Sequence, residues 1–264
     1  MLEILREFFG YGEGYKRPAE GFMSWQHIVF VTSLMIIMIA IAIFFGIRNR
    51  NKDEKSKNKV LIWSAFLIDG FEILKFIIVC TRAHSIKPML MMLPLFLCSI
   101  QLITIPLAAF AKGRVKEAAL DFVFIFGILG AFAGTYGAGQ NYGTYPVLSF
   151  DNVVSGITHS ISGFASLYIG ISMMSSMKPK NIWITYTILI AFCVAAYIAD
   201  ILIPYNYMFL MRGDGTPYDI FYNMVKGNKV LYPMIVVLLF IIYISVFYLV
   251  YFFVRKRKAN KKQA

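Results

Sequence analysis

Cys98 and His159 are a thiol and an imidazole, the pair of groups that nucleophilic acyl transfer uses. In that chemistry the imidazole takes the thiol proton and the thiolate attacks an acyl carbonyl. Each residue sits inside an apolar run. Counted from one side of a membrane, Cys98 is about ten residues into its run and His159 about nine into another. At 1.5 Å per residue both then lie roughly 13–15 Å below that side. Glu72, about nine residues from the same side in a third run, reaches similar depth and could orient the imidazole as a third member. Two plainer readings stand beside this one. A membrane cysteine also serves as a small apolar filler, and a membrane histidine as an interhelical hydrogen-bond partner.

Ionisable groups at membrane depth are costly and so are candidates for function. Asp69, Glu72 and Lys75 share one run, and i,i+3 spacing allows Glu72 and Lys75 to neutralise each other. They form either a polar seam between helices or part of a site. Asp200, Asn206 and Tyr207 stand at the outer end of a later run, placed to bond a lipid headgroup or to cap a helix. His27 begins the first run at the outer boundary. Pro94, four residues before Cys98, cannot donate a backbone bond, which predicts a kink beside the thiol.

These residues need long helices to hold them. The chain of 264 residues is 59% apolar and only 15% charged, against roughly 25% charged in soluble domains. Lipid is the solvent such a chain requires. Apolar stretches fall at about 25–47, 60–81, 88–111, 115–136, 150–176, 181–204 and 230–254. Each suits a bilayer core of about 30 Å. The pattern predicts an all-α polytopic bundle of seven transmembrane helices, residues 25–254, preceded by an extracytoplasmic segment, 1–24, and followed by a basic tail, 255–264. Seventeen Lys and Arg fall in the gaps of one side and eight in those of the other. The positive-inside rule makes the richer side cytoplasmic, which puts the N-terminus outside and the C-terminus in the cytoplasm. The opening MLEILREFF reads as a short interfacial helix or a loop.

The net charge of +12 lies in these gaps, with no nucleic-acid motif beside it, so the expected partners are anionic lipid headgroups and not nucleic acid. Cys80, Cys98 and Cys193 make no disulfide framework or CxxC site, and His27, His84 and His159 have no metal-ligand spacing. No metal or cofactor is expected. The glycines of GILGAFAG, Gly127, Gly130 and Gly134, suit close helix packing.

Three segments carry a resemblance. They are LPLFLCSI at 93–100, THSISGFASLY at 158–168 and NYMFLMRGDGTP at 206–217. In order and spacing the chain resembles the YwaF family of bacterial integral membrane proteins, related to a eukaryotic transmembrane family. The resemblance implies a seven-helix protein of the bacterial cell membrane. Through the eukaryotic relatives it implies a Cys/His acyltransferase that moves an acyl chain from a diacyl phospholipid to a lysophospholipid. It maps the cysteine to Cys98 and the histidine to His159. Phe96 stands where many bacterial members have histidine, and Asp200 and Pro204 depart from the usual sixth-helix pattern.

The reading is therefore a phospholipid acyltransferase with a thioester intermediate and membrane phospholipids as partners. The reaction itself requires no cofactor, because the donor is a lipid ester. The alternative is a non-catalytic lipid- or solute-binding protein or transporter built around Glu72 and Lys75, in which Cys98 is replaceable. A third is a regulatory partner of an enzyme complex.

Overall fold

The computed structural model describes residues 2–12, 14–175 and 177–263, which form helices and turns with no strand. The helices are α1 (Leu2–Phe9), α2 (Trp25–Asn49), α3 (Glu54–Arg82), α4 (Gln101–Phe110), α5 (Gly113–Tyr136), α6 (Gly139–Thr144), α7 (Phe150–Ile171), α8 (Ile182–Leu202), α9 (Tyr218–Met224) and α10 (Leu231–Gln263). Polar residues start several of them. Ser24, Asp53 and Ser149 accept the His27, Ser56 and Asn152 N–H groups at the heads of α2, α3 and α7.

Among the described residues four helical segments are long and apolar enough to cross a membrane: Trp25–Asn49, Gly113–Thr144, Pro179–Leu202 and Leu231–Arg255. The chain is thus an all-helical, multi-pass membrane protein. Although α3 and α7 are also long, polar residues dilute their apolarity. Those polar residues turn out to line the candidate site.

At the centre of the bundle α5 packs along α7, with α2 on the far flank of α7, α4 between α3 and α5, and α8 on α5, followed by α10. Small residues make the α5–α7 approach possible. A side chain at Gly127 would stand 2.6 Å from the Ser162 carbonyl oxygen. The Ser162 and Ser166 hydroxyls instead donate across the gap to the carbonyls of Gly127 and Phe124, at 3.3 and 2.7 Å.

The third expected span is corrected. Instead of one helix over 88–111, a short 3-10 turn at Lys87–Met91 leads into irregular chain, and α-helix begins only at Gln101. Pro94 explains the break, because it lacks an N–H and pushes Leu93 out of helical backbone. Ser99 then holds the irregular chain. Its hydroxyl accepts from the Phe96 N–H at 3.0 Å and donates to the Phe96 carbonyl at 3.1 Å. Cys98 therefore lies in a turn just ahead of α4. At its other end the chain also differs from expectation, since α10 continues through most of the basic tail.

The N-terminal segment is helical in α1, with Ile4 74% exposed. Phe8 and Phe9 pack on Phe150, with ring centroids 6.0 and 5.1 Å away.

Candidate functional site

A cavity of about 410 Å³ opens between α3, α7 and the irregular segment before α4. α3 lines it with a stripe at helical spacing: Ile68, Glu72, Lys75, Val79 and Arg82. α7 contributes Asp151, Ser155, Thr158 and His159, and the irregular segment contributes Phe96, Cys98 and Ser99. Irregular backbone inside a membrane protein is tolerated only where protein buries it or a polar cavity lies beside it. The Pro94 break meets that condition by facing this cavity.

The thiol and the imidazole thus share one hollow, and α5 sets their spacing. Cys98 Cβ rests 3.4 Å from where a side chain at Gly130 would begin. The His159 ring occupies the place of a side chain at Gly134. Gly130 and Gly134 are four residues apart, just over one turn and about 6 Å along the axis. Cys98 and His159 therefore stand over successive turns of one helix face. No hydrogen bond joins them among the described residues.

Glu72 and Lys75 both line the cavity. The self-neutralising pair allowed by their spacing does not form: both half-buried side chains line the hollow without an ion-pair or hydrogen-bond partner among the described residues. A carboxylate and an ammonium held this way are available to a polar ligand.

The cavity mouth is built from residues that the sequence did not single out. Arg82, in the last turn of α3, forks onto Asp151, in the first turn of α7, with N–O distances of 2.7 and 3.1 Å. The same guanidinium donates to the Phe9 carbonyl and the Tyr15 hydroxyl, and Tyr15 donates to Asp151 at 2.5 Å. The N-terminal segment is thereby tied over the ends of α3 and α7. Burial and the Asp151 contact push the Tyr15 hydroxyl up to about 12. Asn141 of α6, Tyr145 just after it and Tyr205 beyond α8 also line the cavity.

The remaining sequence candidates lie outside the lining. Asp200 accepts the Tyr207 N–H at 2.7 Å, and its other carboxylate oxygen is buried without a partner among the described residues. Tyr207 donates to the Leu90 carbonyl and packs edge-on against Phe96, centroids 5.2 Å apart. Asn206 bonds the Arg212 carbonyl, Asp214 and the Met211 N–H. Tyr207, held by Asp200, thus buttresses the Cys98 segment, while Asn206 ties its own loop together. His27 is fully buried, accepts the Met23 N–H at Nδ1 and reaches the Thr135 carbonyl from Nε2 at 3.1 Å. It pins α2 to α5 and has no free ring nitrogen for a substrate. Among the described residues no three His, Cys, Asp or Glu side chains converge as metal ligands.

A family model describing the TMEM164 family, a transmembrane protein family, matches residues 22–251. The chain belongs to the TMEM164 family. The matched span runs from just before α2 into α10 and includes Cys98, His159 and every helix that lines the cavity. It leaves out α1 and Tyr15, so the N-terminal tie over the cavity mouth lies outside the family match. No curated protein and no solved structure matches the chain.

Proposed function

We propose that this chain is a phospholipid acyltransferase of the bacterial cytoplasmic membrane, of the YwaF type, with Cys98 as nucleophile and His159 as base. In this reading the chain crosses the bilayer seven times, the third time as the irregular segment followed by the short α4, with the N-terminus outside and the basic tail cytoplasmic. The observation that supports it most is the meeting of Cys98 and His159 in one cavity, over successive turns of α5.

The proposed reaction begins when His159 takes the Cys98 proton. The thiolate adds to the acyl carbonyl of a diacyl phospholipid, and the ester C–O bond breaks. The leaving alkoxide takes the proton from the imidazolium and departs as a lysophospholipid, leaving a thioester on Cys98. The hydroxyl of a second lysophospholipid then gives its proton to His159 and attacks the thioester. The C–S bond breaks, and the sulfur is reprotonated. Contacts within a catalytic pair commonly tighten only when substrate binds, so the chemistry does not require the pair to be hydrogen-bonded beforehand. Glu72 and Lys75 face the headgroup side, and no cofactor enters any step.

The test is acyl transfer by purified protein in lipid nanodiscs, from labelled diacyl phospholipids to a panel of lysophospholipids, read by mass spectrometry. Transfer lost in folded Cys98→Ala and His159→Ala supports the reading. Wild-type protein inactive across the panel, or an active Cys98→Ala, moves the assignment to lipid or solute binding at Glu72 and Lys75.

A further inference from the structure

A second hollow, of about 490 Å³, runs along the flank of the bundle between α2 and α3, with α7 as its floor. Apart from the Trp63 indole, its only polar side chains are Ser64 and Ser160. Both hydroxyls are spent inside their own helices, on the Val60 and Gly156 carbonyls. A polar ligand would find nothing to bond there, whereas a hydrocarbon chain would lose no hydrogen bond on entering.

The groove and the charged cavity have no lining residue in common but are lined from neighbouring positions of the same two helices. On α3 Leu67 faces the groove and Ile68 the cavity, and on α7 Ile157 faces the groove while Thr158 and His159 face the cavity. From that level the groove follows α2 from Leu34 to Phe45, roughly 16 Å at 1.5 Å per residue. It runs away from the Arg82–Asp151 mouth. A charged compartment and an apolar one lined from adjacent positions around His159 match a molecule with a polar half and an apolar half joined at a carbonyl.

We propose that this groove holds the acyl chain of the phospholipid whose ester carbonyl is presented to Cys98, and that it sets which chain lengths are accepted. The inference rests on the acyl-transfer reading for its consequence, but occupancy of the groove can be measured without turnover. Full-length protein and its Cys98→Ala variant are placed in nanodiscs containing phosphatidylcholine with a photoactivatable diazirine in mid-chain. They are then irradiated and mapped by peptide mass spectrometry.

Crosslinks concentrated on the α2, α3 and α7 groove residues, in both proteins, support the proposal. Crosslinks spread over the whole lipid-facing surface, or a protein–protein crosslink closing the groove with a second copy or another helix, overturn it. Ser160→Trp narrows the floor, and Ile37→Trp does so from a wall position that is 54% exposed and needs no core space. Each variant should lower transfer from hexadecanoyl donors about tenfold relative to octanoyl donors. Equal loss for both donors in both variants, or no loss in either, overturns the chain-length role. Groove crosslinks without transfer from the wild type would sink the enzymatic reading and leave the lipid site standing. Transfer with crosslinks elsewhere would do the reverse.

Discussion

The imidazole of His159 lies where a side chain at Gly134 would be, so the absence of a Cβ on α5 is what lets the ring reach the cavity. Gly134→Ala must push the ring away. Alanine favours helix over glycine by up to about 1 kcal/mol, so the helix itself gains. A misplacement of about 1 Å at a reacting group costs about 100-fold in rate. The expected outcome is loss of acyl transfer by about that factor with unfolding temperature unchanged or raised. Gly130→Ala faces Cys98 Cβ at 3.4 Å, a tight but tolerable contact, and should lose far less. Equal activity in the two variants would show that His159 need not sit where it does.

Glu72 and Lys75 separate a site from a seam. A seam that locks helices would lose stability when either charge is removed, because the other would be stranded. Among the described residues neither has an ion-pair or hydrogen-bond partner to strand. Glu72→Gln and Lys75→Met should therefore each shift unfolding free energy by within about 0.5 kcal/mol, measured by denaturant titration in detergent, while changing apparent KM for the lipid acceptor. A loss of several kcal/mol in either variant, with KM unmoved, would make them structural.

Arg82 and Asp151 are the opposite case. Their side chains are 16% and 9% exposed, and each satisfies the other. Removing one partner of such a pair leaves a buried charge, at about 3 kcal/mol. Asp151→Ala should lose about that much stability and free the N-terminal segment, seen as faster proteolysis within residues 2–20. The double variant Arg82→Met with Asp151→Leu should recover part of the loss. Proteolysis unchanged in Asp151→Ala would show that the segment is held by its other contacts, the Phe8 and Phe9 packing and the Tyr11–Thr81 and Glu20–Val147 bonds.

Much of this was legible in the sequence, for reasons that differ from one residue to another. Apolar run length placed α2, α5, α8 and α10, because a bilayer demands continuous apolar helix. Depth counting brought Cys98 and His159 together although its premise for Cys98 was mistaken. The chain before Gln101 is irregular, and α5 supplies the common level through Gly130 and Gly134. The signal for the break was Pro94, read as a kink when it ends the helix. Spacing allowed Glu72 to meet Lys75, but helical proximity does not decide whether two side chains turn to each other or to a cavity. Arg82 and Asp151 were missed because 69 residues separate them. Only the antiparallel return of α7 along α3 brings one helix end to the other. His27 stood at a plausible boundary position, yet its ring is fully used between Met23 and Thr135.

Tyr15 gives the N-terminal tie a pH dependence. Its hydroxyl is raised from 10.0 to about 12, first by burial and then by its bond to Asp151. A phenol with a raised folded value contributes stability that is fully present below pH 10, its unfolded value, and is lost as pH rises through about 12. Deprotonation would also place a phenolate against the Asp151 carboxylate and remove the proton that Tyr15 donates. Proteolytic cleavage within residues 2–20 should thus accelerate between about pH 10 and 12. Tyr15→Phe, which lacks the proton altogether, should start from a looser tie at neutral pH and show a flatter profile over the same window. Parallel profiles in wild type and Tyr15→Phe would assign the alkaline loosening to some other group and leave Tyr15 with a packing role only.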